Sequence, residues 1–141
     1  MDPAAALTDA SAPPLAEGLD AGALAALETA ADAAGLRRAR ADAPDKAGVL
    51  AQLARGLKFP AHFGGNWDAL ADCLADPGAD AARLIVVAAS ALADLPRERA
   101  VLEDVLREAA RDVRAPRLFV AFEARGEPPI KNGDSSVSRP I

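Results

Sequence analysis

The chain has 141 residues, with one cysteine, one tryptophan, one methionine, one histidine and no tyrosine. The lone Cys73 excludes an internal disulfide and a cysteine-rich zinc site. No apolar run approaches the roughly 18 to 20 residues that a bilayer-spanning helix needs. No basic residue precedes Arg37, so no secretory n-region is expected, and the expected location is the cytoplasm. Cations are also the minority: 16 Lys and Arg stand against 21 Asp and Glu, for a net charge of −5. That sign disfavours a nucleic-acid binder and suits a basic partner. Large apolar side chains are scarcer than they look. Hydrophobic residues make up 51% of the chain, but 37 of them are alanine. The remainder suits a core for roughly 90 to 110 residues, which is one domain plus tails.

What is present alternates between two periodicities. Residues 1–20 are rich in Ala, Pro and Asp and are expected to be loosely ordered. From Gly126 the string GEPPIKNGDSSVSRPI is expected to be a disordered tail, spanning 125–141. Between them, Leu24, Leu27, Ala31 and Ala34 are spaced for a helix near 22–34. Asp45 caps a predicted helix to Leu57, with Val49, Leu50, Leu53 and Leu57 on one face. Asn66 stands at the N-cap of a further helix, 66–75, that stops before Pro77-Gly78. Pro96 opens another over 96–113, with Ala100, Val101, Val105, Leu106 and Ala109 as its apolar face. LIVVA (84–88) and LFVAF (118–122) are unbroken apolar runs, the pattern of strands buried on both faces. The charged run LRRARA (36–41) is a third strand on architectural need. The predicted fold is α/β: a three-stranded parallel sheet packed against helices, with an extra N-terminal helix.

The stretch FPAHFGGNWDALADCLADP (59–77) carries the most information. At helical spacing Trp67, Leu70, Ala71 and Leu74 share one side, which predicts a largely buried tryptophan. Asp68, Asp72 and Asp76 share the other side, at i, i+4 and i+8. Each adjacent like-charge pair costs about 0.2–0.5 kcal/mol. Asp68 is offset by the helix dipole, whereas no Lys or Arg stands one turn from Asp72 or Asp76. An acidic ridge offered to a cationic partner explains this; a merely solvated polar face is the alternative.

The string F-P-x-x-F-G-x-N-W-D-A-L-x-D-C-L resembles the signature of the barstar family, intracellular bacterial inhibitors of barnase-type ribonucleases. The likeness continues through LIVVA, VLREA and LFVAF, over about 36–124 of a domain spanning 21–124. The resemblance implies that an acidic helix plugs the ribonuclease active site with carboxylates in place of substrate phosphate. It implies that Asp72 is the central phosphate mimic, Asp68 a second contact and Glu108 a partner for a basic residue of the enzyme. His62 falls where a family aromatic packs on a catalytic histidine. Gly64 and Asn66 fall at positions that shape the loop and start the helix, and Asp76 extends the ridge. The implied partner is a basic secreted or toxin-type ribonuclease, with no direct nucleic acid, no membrane, no metal and no cofactor, and the free protein is expected to be a monomer.

Departures from the family pattern fall on the aromatics. Ala71 stands where the type member has a tryptophan, Gly65 where it has an acid, and His62 where it has a tyrosine, which changes charge behaviour near neutral pH. A non-inhibitory acidic interaction module of the same fold, docking another basic protein, fits the same ridge. An enzyme fits poorly. Cys73 and His62 are the only thiol–imidazole combination, and Cys73 flanks the apolar face, where packing is the expected role. Asp68, Asp72 and His62 make too few ligands for a hard-metal shell.

Overall fold

The computed structural model describes residues 14–60, 63–76, 82–112 and 117–124. The elements run β1 (Leu15–Leu19), α1 (Ala21–Ala33), β2 (Arg37–Ala41), α2 (Lys46–Leu57), α3 (Trp67–Leu74), β3 (Arg83–Val87), α4 (Pro96–Arg111) and β4 (Leu118–Glu123). The strands form one parallel sheet in the order β1-β4-β3-β2.

Strands β3 and β4 are apolar throughout because both faces of the sheet are covered. Ile85, Val87, Leu118, Val120 and Phe122 meet α2, α3 and α4 on one face. Leu84, Val86, Phe119 and Ala121 meet Leu24, Leu27 and Ala31 of α1 on the other. The RRARA strand fits this scheme by alternation. Ala39 and Ala41 are buried in the first core, while Arg38 and Arg40 both pair with Glu28 of α1, and Arg38 also with Asp32. Asp20, Asp45 and Asn66 cap α1, α2 and α3 with side-chain oxygens that accept from Ala23, Gly48 and Ala69.

The sheet has four strands where the sequence pattern predicts three. Residues 15–19, placed by composition in a loose N-terminal segment, form β1. Its Leu15 and Ala16 pair with Val120 and Ala121, and the register then shifts so that Leu19 meets Glu123. Gly18, at φ 70°, supplies the left-handed residue at this irregularity. Glu17 ties β1 to α4 through Arg107 at 2.6 Å, and the Arg107 guanidinium lies 5.0 Å from the Phe122 ring. The hydrogen bond from Arg107 holds the Glu17 carboxyl below its ordinary pKa. A lowered carboxylate pKa contributes stability above the unfolded value and loses it as pH falls through the folded one. Unfolding followed from about pH 6 to about pH 2 should therefore show an acid loss that is smaller in Glu17→Gln. An identical acid limb in both proteins would remove this pair from the stability of the fold.

The predicted apolar face of α4 is rotated from the observed one. Leu102 and Leu106 are buried, Val105 and Ala109 are half-buried, and Ala100 and Val101 face solvent. A buried arginine completes the inner face. Arg99 donates to Ala88 O and Ala91 O at 2.9 and 3.0 Å and to Glu103 at 2.7 Å, fixing the loop between β3 and α4. The helix also ends at Arg111, short of the predicted Val113, which lies outside the described residues.

Candidate functional site

Helix α3 has eight residues, too few to be stable alone. Leu70 and Leu74 anchor it, both fully buried against the α2–α4 side of the sheet. The preceding turn places Gly65 at φ 70°. Gly64 has room for a Cβ, with its nearest neighbours at 3.6 Å. Gly65, rather than Gly64, is therefore where glycine relieves a left-handed backbone, while Asn66 serves the helix start through its bond to the Ala69 amide.

Anchoring through Leu70 and Leu74 turns Asp68, Asp72 and Asp76 to solvent. Ala71 goes with them, exposed rather than part of the buried side as its spacing predicts. It forms, with Ala75, Val105 and Ala109, the small apolar floor of an open groove of about 470 Å³ between α3 and α4. Asp72 and Glu108 line this groove, as the sequence pairs them, and so do Asp104 and Asp112. Those last two acids were absent from the predicted site. Asp104 and Glu108 stand at i and i+4 on α4, on the side that its observed phase turns to solvent. Asp68 lies outside the groove lining, toward the N-terminus of α3. His62 lies outside the described residues.

Asp76 does have a cation to answer. Arg83 at the start of β3 feels its charge, which opposes the lowering of the Arg83 pKa by burial. Cys73 is half-buried, and its thiol is pushed up by burial and then by the charges of Asp72 and Asp76. A raised pKa opposes thiolate chemistry. Among the described residues no group of three or more His, Cys, Asp or Glu side chains could hold a metal ion.

Trp67 is half-buried, not largely buried as its spacing predicts. Its ring packs on the core edge, its Nε1 donates to Glu98 of α4 at 3.2 Å, and the Lys46 ammonium sits 5.6 Å from the ring centroid. An indole that keeps a polar handle and one wet edge belongs at this boundary. As the sole tryptophan, it should emit between the buried and fully exposed limits. Emission at the unfolded-state maximum in the native protein would contradict this packing.

A parallel sheet, an alanine-floored groove between two helices and a rim of carboxylates are thus held together by one core. The family model described as Barstar (barnase inhibitor) matches residues 21–125. The chain belongs to the barstar family. The barstar match begins earlier than the resemblance over 36–124 suggested and includes α1, so that helix is part of the family domain rather than an addition to it. Only β1 among the described elements precedes the match. A search of curated proteins finds no match. No helix among the described residues is long and apolar enough to cross a membrane.

Proposed function

We propose that this barstar-family chain inhibits a barnase-type ribonuclease in the cytoplasm by docking its α3–α4 face over the enzyme's RNA-binding cleft. Asp72 takes the place of a substrate phosphate. Asp68 contacts the cleft from the start of α3, and Glu108 reaches a basic residue from α4. The observation that carries this reading is the groove itself: Asp72, Asp104, Glu108 and Asp112 surround an apolar floor in a chain whose family is that of barnase inhibitors. Four carboxylates on one face attract a cationic cleft and make the encounter salt-sensitive. His62, Asn66 and Gly64 belong to the approach loop, with His62 offering a flat ring to the enzyme. Asp76, exposed just past the end of α3, extends the acidic ridge toward the partner.

The open floor left by Ala71 and Ala75 favours one alternative, a module that grips another basic protein without blocking RNA cleavage. Inhibition assays separate the two. Purified protein added to barnase, and to a basic ribonuclease encoded beside its gene, should abolish RNA cleavage at one equivalent in at least one case. Binding without loss of cleavage would establish the alternative, and undiminished cleavage without binding in both would end the proposal.

A further inference from the structure

The end of α3 rests on one buried cation. Arg83, the first residue of β3, is 3% exposed, and its Nη1 donates to Leu74 O at 3.0 Å. Leu74 closes α3, where the last carbonyls have no partner within the helix. This is also the negative end of the helix dipole, and the last turn of α3 holds no basic residue of its own. A strand residue supplies the missing cation. Its backbone N–H is fixed at the same time, donating to Arg117 O at 2.9 Å. Burial pulls the Arg83 pKa down, while Asp76, just past α3, and Asp112, the C-cap of α4, act to keep it charged against Arg37. Asp112 is also a wall of the acidic groove. The other buried arginine, Arg99, serves the β3–α4 loop instead.

We infer that Arg83 is a positioning residue for the docking face: it clamps the C-terminal end of α3 to the sheet. Asp72 is thereby held in its binding geometry before any partner arrives. An eight-residue helix pinned at its start by Asn66 and Trp67 needs a second pin beyond Leu74. A guanidinium suits the place because its planar fork holds a fixed direction toward the Leu74 carbonyl, which a flexible ammonium does less well. The binding part of this inference rests on the inhibitor reading above; the clamp itself does not.

The test uses the full chain with Arg83→Met and Arg83→Lys. Amide hydrogen exchange in the free protein reads the clamp, and association and dissociation rates with barnase read its use. In Arg83→Met, amides of residues 70–75 should exchange about tenfold faster or more while β3 and β4 keep their protection. Dissociation should quicken by about tenfold. Association should hold or rise slightly, because a cation has left an acidic face. Arg83→Lys should recover part of both effects. Leu27→Ala, a cavity under α1 on the far face of the sheet, should lower stability without changing dissociation. Unchanged exchange in α3, or dissociation no faster than in Leu27→Ala, overturns the inference. If Arg83→Met fails to fold, α3 exchange in Arg83→Lys equal to wild type overturns it. If wild-type protein binds and inhibits no ribonuclease, the functional reading falls, and α3 exchange alone decides the clamp.

Discussion

Asp72→Ala should bind a target ribonuclease about 3–5 kcal/mol more weakly than wild type, with most of the change in the dissociation rate. The carboxylate is exposed in the free protein, so removing it costs the fold little. In the complex it would be desolvated among Arg and Lys side chains, and truncation would leave those cations buried and unpaired. The groove floor strengthens the expectation. Ala71 and Ala75 present no large side chain, so less binding energy resides in aromatic packing and more in the rim charges. Titration of ribonuclease activity with wild type, Asp72→Ala and Asp32→Ala measures the effect. Asp32 lies on α1, across the sheet from the groove, and loses only an exposed bridge to Arg38. If Asp72→Ala binds within about 1 kcal/mol of wild type, the carboxylate is not a phosphate mimic.

Gly56→Ala should destabilise the fold by about 2–3 kcal/mol, although alanine is the better helix former by about 1 kcal/mol. Helix α2 lies so close to β2 that a Cβ on residue 56 would sit 2.5 Å from Arg38 O and 2.7 Å from Ala39 Cα. Those are backbone atoms of a hydrogen-bonded strand and cannot rotate away. The helix would have to lift, loosening Leu53 and Leu57, which are buried beside the contact. Denaturant unfolding should show a lower midpoint with an unchanged slope. A midpoint at or above that of wild type would mean that the helix and strand separate without cost.

Legibility in the sequence followed side-chain size and sequence distance. LIVVA and LFVAF declared themselves because strands covered on both faces need apolar residues at every position. RRARA did not, since its buried residues are only alanines and Arg38 and Arg40 are matched by Glu28 and Asp32 a helix away. The LAEGL strand is shorter in signal still: its register shifts at Gly18, and the strand that makes it one lies at the other end of the domain. Alanine also blurred the phase of α4, where Ala100 looked apolar while the buried Arg99 looked polar. In the candidate groove, the N-cap and the placing of Asp72 beside Glu108 were legible from local spacing and family likeness. Asp104 and Asp112 depended on the true phase of α4. Arg83, the cation at the end of α3, comes from a strand, so no helical spacing rule could reveal it.

The order β1-β4-β3-β2 makes the first strand of the domain the neighbour of its last. Residues 15–19 have no ladder to join until residues 118–123 are in place. The α2–α3–β3–α4 side can assemble around nearer contacts meanwhile, whereas seating β1 closes a loop of about a hundred residues. That last step also covers the outer edge of β4, an apolar strand otherwise open to pairing with a strand from another molecule. Seating the first strand of the domain and concealing the apolar edge of its last are therefore the same event.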